Sequence, residues 1–186
     1  MRSRGDRVIL FPDTPDTNGG TLATKDLLEE MNQHLAKELY AAYLYLSMAA
    51  YFESENLSGM AGWMRAQSNE EFAHAMKFWE HISDRGGRVR LLAIEQPPSD
   101  FKGPLQVFEQ ALHHEEQVSG EINKLYERAE EEHDHAAEVF LQWFITEQVE
   151  EERTAQQMVD TLKMAGDSPA AMLMLDREFG ARNSGG

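Results

Sequence analysis

The chain has 186 residues, a length suited to one ordinary domain or at most two small ones. Thirty-three acids against 17 bases leave a formal net charge of −16, which argues against a duplex nucleic-acid binder and is compatible with the attraction of cations. Cysteine is absent, so disulfides, thiolate metal sites and cysteine nucleophiles are excluded, any bound metal must rest on carboxylate and imidazole, and no run of about 18 apolar residues offers a membrane span.

Residues 1–23 differ from the rest. Arg2, Arg4 and Arg7 precede a short apolar patch, Val8-Ile9-Leu10-Phe11, and a Pro/Asp/Thr/Asn/Gly-rich stretch follows as far as Gly20. The patch is too short for a secretory signal and no small-residue cleavage site follows it. Such composition cannot bury a core, which predicts a flexible extension, with a docking arm as the other reading. Residues 24–180 then form one domain, and residues 181–186 a disordered tail.

From Thr24 onward the apolar spacing is helical. Thr24 can cap a first helix whose stripe runs Leu28, Met31, Leu35, Glu38, Ala42, Tyr45, Ala49, Phe52, in steps of three and four. Asn56 to Gly59 break it, and Ser58 can cap a second helix carrying Met60, Met64, Gln67, Glu71, His74 and Phe78 as far as Gly86-Gly87. Residues 88–103, with Pro97-Pro98, read as an extended connection. Pro104 opens a third helix running to about Glu132. Asp134 can cap a fourth that reaches Ala165 before Gly166, and Ser168-Pro169 begin a short fifth with Met172, Leu175 and Phe179 on one side.

Helices of about 28 residues are roughly 40 Å long. Short loops inside each pair and a long middle connection predict an all-α four-helix bundle with one crossover, plus the short C-terminal helix. That last helix has an apolar face to cover, by packing against other subunits or by docking on its own bundle.

The informative residues are acids within the apolar stripes. Glu38 lies between Leu35 and Ala42, and Glu71 and His74 lie between Gln67 and Phe78. On the third helix Phe108 and Leu112 lead by a four-step to Glu116, although periodicity equally allows Glu115. On the fourth, Phe140 and Phe144 lead to Glu147 and Glu151. One uncompensated buried carboxylate costs several kcal/mol, so several at one level are tolerable only where a cation joins them. Glu71-x-x-His74 places carboxylate and imidazole at i and i+3 on one face, which is how di-metal carboxylate bundles ligate. Two other readings share parts of the pattern: a di-iron or dimanganese oxidase acting on peroxide or an organic substrate, and a structural bundle whose buried acids pair with bases. The first calls for a second Glu-x-x-His or a substrate cavity, and the second for Lys or Arg at the acid level. Neither motif stands out here.

From about Leu22 to Phe179 the sequence resembles a bacterial non-haem ferritin. The matching words are Lys37-Glu38-Leu39-Tyr40, Asn69-Glu70-Glu71-Phe72-Ala73-His74, His114-Glu115-Glu116-Gln117, Phe140-Leu141-Gln142-Trp143 and Thr146-Glu147-Gln148-Val149-Glu150-Glu151. The resemblance implies a first iron site of Glu38, Glu71 and His74, and a second of bridging Glu71, Glu116 and Glu151, the Glu-Gln match favouring Glu116. It implies a possible third site of Glu70, Glu147, Glu150 and Glu151. Tyr45 matches the tyrosine beside the centre, a source of an electron or a hydrogen bond where it is not simply a core aromatic, and Gln148 matches the neighbouring glutamine. Haem is not expected: Thr154 stands where bacterioferritins complete a second Glu-x-x-His, and Phe72 where their haem-ligating Met stands. Glu138 matches an acidic channel position, while Leu141 falls where some relatives have a second acid. By the same resemblance the chain is a cytoplasmic ferroxidase and iron store. Two Fe(II) ions per centre react with O2, and 24 subunits enclose the Fe(III) mineral, with no nucleic-acid or membrane partner.

Overall fold

The computed structural model describes residues 24–182, so the expectations for residues 1–23 and for 183–186 lie outside the described residues. Five helices follow one another: α1 Lys25–Ser54, α2 Ser58–Asp84, α3 Pro104–Glu131, α4 His135–Ala165 and α5 Pro169–Arg182. The last runs two residues into the segment expected to be tail. Among the described residues there is no strand, and no helix is long and apolar enough to cross a membrane. α1 packs on α2 and α3 on α4, and residues 88–103 carry the chain between the pairs without regular structure. The four-helix bundle with one crossover is therefore observed, with α5 added against α2.

Local chemistry sets the helix ends. The Thr24 hydroxyl accepts from Leu27 N at 3.2 Å, and the Asp134 carboxylate accepts from Ala137 N at 3.1 Å, each satisfying a first-turn donor. Pro104 takes the first turn of α3, where its missing N–H is no loss. Ser58 departs from expectation. It is the first residue of α2, its predecessor Leu57 supplies no cap, and the free N–H of Met60 instead donates to Asp176 Oδ1 of α5 at 2.9 Å. A side chain 116 residues away thus does the work of a local cap. The approach is close: a Cβ on Gly59 would stand 1.7 Å from the Asp176 carbonyl oxygen.

α5 docks on its own bundle. Leu175 and Phe179 are buried and Met172 is half-buried against the core. Leu173 and Met174, on the outer side of α5, stay exposed. The crossover is tied to α1 by Asn32, whose amide donates to Arg88 O at 3.2 Å and accepts from Arg90 N at 2.7 Å.

The core comes in two apolar halves. One gathers Tyr45, Met48, Phe52, Met60, Trp63, Met64, Phe108 and Met158, closed by Phe179 of α5. The other gathers Met31, Leu35, Phe78, Ile82, Val118, Ile122, Leu141 and Phe144. Leu141 is thus a core residue and presents nothing to a channel. Between the two halves lies a belt of buried polar side chains on all four long helices: Glu38, Gln67, Glu71, His74, Glu115 and Gln148.

Candidate metal centre

The belt is built by heptad spacing. On α1, Glu38 falls seven residues before Tyr45, and on α2 Glu71 and His74 occupy two successive inward positions. Glu38, Glu71 and His74 offer one ligand atom each, and these atoms lie within 4.8 Å of one another. His74 Nδ1 stands 3.4 Å from Glu71 Oε2 and 3.9 Å from Glu38 Oε2. Glu38 Oε2 is buried and has no hydrogen-bond partner, while Oε1 of the same carboxylate is taken by His34 Nε2 at 2.7 Å. A buried carboxylate oxygen left without a donor costs free energy that only a cation or a proton in the cluster relieves.

The structure corrects the third helix. Glu116 is 57% exposed, 3.8 Å from His113 on the outer face, whereas Glu115 is 1% exposed and enters the belt. The reason is register: Phe108, Glu115, Ile122 and Ala129 form one heptad line, and Ala111, Val118 and Leu125 the other. The four-step through Leu112 leads off that face. Glu115 Oε1 accepts from the Tyr45 hydroxyl at 2.5 Å, and its Oε2 accepts from Gln148 Nε2 at 3.2 Å. Tyr45 and Gln148 therefore both meet the belt through Glu115.

The remaining acids stand at graded depth. Glu151 is half-buried, and its Oε2 accepts from Gln67 Nε2 at 3.2 Å; the same amide donates to Glu70 Oε2 at 2.7 Å. Glu147 is half-buried, while Glu70 and Glu150 are exposed. Trp143, 39% exposed, lies edge-on to His74 with ring centroids 5.5 Å apart. Of the other histidines, His113, His133 and His135 are exposed, His81 stacks half-buried on Phe140, and His114 is half-buried 6.0 Å from Tyr40. Met60 and Met64 fill the core and Trp63 packs there, while Trp79 reaches solvent.

Electrostatics follow from crowding acids in a dry place. Burial, reinforced by neighbouring carboxylates, pushes Glu115 and Glu151 up to about 8, and burial raises Glu38 as well. Burial also raises Glu71. For His74 burial works downward, but the hydrogen bond and charge of Glu71 outweigh it and raise the imidazole, while His74 in turn partly offsets the rise that burial gives Glu71. Burial and the surrounding acids keep the Tyr45 phenol protonated, and hence a donor. Without a cation the belt at neutral pH is therefore a store of protons on oxygens that are otherwise ligands. Hard carboxylate oxygens with a single imidazole suit iron, manganese or zinc.

Sequence reasoning overlooked His34. It is buried one turn before Glu38, and the i, i+4 spacing of His and Glu on the inward face was the available signal.

A helical bundle with three buried carboxylates, half-buried Glu151 beside them and one imidazole has the donor set of the carboxylate metal bundles. The Ferritin family, described as a ferritin-like domain, matches residues 28–165, and the chain belongs to that family. It is 40% identical over 161 residues to a bacterial non-heme ferritin of Bacteroides fragilis, covering 87% of this chain and 100% of that one. To the bacterial non-heme ferritin of Staphylococcus aureus it is 35% identical, covering 87% and 97%. Among solved structures, a novel open pore ferritin from the hyperthermophilic archaeon Archaeoglobus fulgidus superposes with a TM-score of 0.84 at 46% identity, covering 84% of this chain and 97% of that chain.

Proposed function

We propose that the protein stores iron and is a ferroxidase: two Fe(II) ions bind in the belt of each subunit, are oxidised by O2, and pass as Fe(III) into the hollow of a 24-subunit cytoplasmic shell. The observation that carries this reading is the buried, hydrogen-bond-orphaned Oε2 of Glu38 facing Glu71 and His74. The first ion takes Glu38, Glu71 and His74. The second takes Glu71 as bridge with Glu115 and Glu151, Glu115 standing in for Glu116. Each ion gives up one electron, so one O2 accepts two electrons and two protons. Anionic oxygens favour Fe(III) over Fe(II), which makes that oxidation easier. The one imidazole makes the two ions unequal.

Gln148 and Tyr45 orient Glu115, and the protonated phenol of Tyr45 stands ready to donate a proton or an electron. Gln67 links Glu151 to Glu70, and with Glu147 and Glu150 on the more exposed side these acids form a third, transient iron site on the way out. The negative charge of each subunit, multiplied by assembly, draws cations inward. Rapid-mixing absorbance after Fe(II) addition under air tests the chemistry: a fast oxidation phase is expected in wild type and its loss in Glu71→Ala. Equal rates would refute the site. Sedimentation as a 21.2 kDa monomer would refute the shell.

A further inference from the structure

The two oxygens of Glu38 are in different situations, and the difference comes from a residue outside the proposed ligand set. Oε1 faces His34 Nε2 at 2.7 Å, and Oε2 points into the cluster with no hydrogen bond. We propose that His34 is a positioning residue: by donating its Nε2–H to Oε1 it turns Glu38 into a one-oxygen ligand that meets the first iron through Oε2 alone. The proposal rests on the two-iron reading given above.

Two helices hold the ring in place and a third borders it. Its own α1 sets the Nε2–Glu38 contact across one turn. On α2, Phe78 packs against it with ring centroids 4.8 Å apart and planes tilted by 52°. On α3, Glu121 Oε2 stands 3.8 Å from Nδ1, beyond hydrogen-bond reach, and Glu121 is ion-paired instead to Lys37, with Oε1 2.5 Å from Nζ. A buried ring packed against Phe78 directs its N–H along one line, which is what orients a ligand, since a carboxylate free to spin about its last torsion would offer either oxygen or both. With one lone pair of Oε1 committed, chelation through both oxygens is disfavoured, which would leave a coordination position on the first ion for O2. His34 also closes the outer side of the centre. A cleft of about 460 Å³ between α1 and α3 is lined by His34, Lys37 and Glu121 but not by Glu38.

Cobalt(II) reports this geometry without turnover, because its visible bands depend on the number of ligands. Metal-free assembled protein is titrated anaerobically with Co(II) as wild type, His34→Gln and His34→Leu. Gln places its Nε2 the same number of bonds from Cβ as His does and keeps the donor; Leu keeps bulk without one. The expected result is wild-type affinity and bands for His34→Gln. For His34→Leu, affinity at one site falls about 10- to 100-fold, the bands weaken as coordination number rises, and a chelator removes Co(II) faster. Should His34→Leu fail to fold, His34→Met supplies the same donor-free comparison. Unchanged affinity and bands in the donor-free variant overturn the proposal, as does an equal loss in His34→Gln. Failure of wild type itself to give a saturable Co(II) spectrum overturns the two-iron reading and this proposal together.

Discussion

The Tyr45 hydroxyl of α1 donates to Glu115 Oε1 of α3 at 2.5 Å, so the aromatic stripe of one helix fixes a carboxylate of another at the level of Glu38 and Glu71. Tyr45→Phe removes that donor and keeps the ring packed against Trp63. Affinity for the second ion is expected to fall about tenfold, read by Zn(II) titration calorimetry. Thermal stability should drop by about 1–3 kcal/mol, the cost of leaving a buried acceptor unsatisfied. An unchanged second-ion affinity would reduce Tyr45 to a core aromatic.

Adjacent glutamates on α3 should behave oppositely. Glu115→Ala removes a buried carboxylate proposed to hold the second ion and is expected to abolish binding there, leaving one ion per subunit. Glu116→Ala alters an exposed surface residue, with a stability change within about 0.5 kcal/mol and no change in Fe(II) stoichiometry. Anaerobic Fe(II) binding by both variants checks this directly, and a reversed pattern would restore the original choice of Glu116.

The belt makes metal binding and stability depend on pH in opposite senses. Glu115 and Glu151 titrate near 8 in the folded chain against 4.5 as the ordinary value, so the native state holds protons that the unfolded chain releases. Their contribution is fully present below about pH 4.5 and is lost as pH rises through 8. Metal-free protein should therefore lose thermal stability between about pH 5 and 8 from these groups. Each ion must displace protons, so affinity should climb over the same range with measurable proton release. Calorimetric melts with and without Zn(II) at several pH values should show the metal's stabilisation growing with pH; stabilisation independent of pH would place the ion elsewhere.

The contact of α5 with α2 can be severed at one methyl group. Gly59→Ala puts a Cβ where the Asp176 backbone already stands, and the misfit should cost about 1–3 kcal/mol while displacing Asp176 from Met60 N. Asp176→Ala removes only the cap and should cost about 0.5–2 kcal/mol. Thermal melts of the two variants separate the terms, and a Gly59→Ala protein as stable as wild type would deny the close approach.

Most of the architecture was legible because long amphipathic helices with Thr24, Asp134 and Pro104 at their starts follow local rules. Glu38, Glu71 and His74 could be read from their positions inside apolar stripes. Spacing left Glu115 and Glu116 open, and the Glu-Gln match chose Glu116; the bulky Leu112 suggested a four-step, while small Ala111 and the continuation Val118, Ile122, Leu125 define the buried face. Following the line one heptad further would have exposed the error, since Glu116 leads on to Asn123 and Glu130. The cap of α2 was beyond local reading, because Asp176 reaches Met60 only through the docking of α5. Asn32, which holds the crossover, is equally non-local. His34 was within reach of i, i+4 reasoning, but its packing against Phe78 needed the approach of α2.

Anomalous diffraction at the iron edge, from crystals loaded with Fe(II) without oxygen, asks most directly whether the carboxylate belt is a two-ion centre. Two peaks are expected in each subunit, one among Glu38, Glu71 and His74 and the other among Glu71, Glu115 and Glu151, with Glu116 distant from both. A map with no iron between those side chains, or with their oxygens turned outward and iron bound only at the surface, would contradict it.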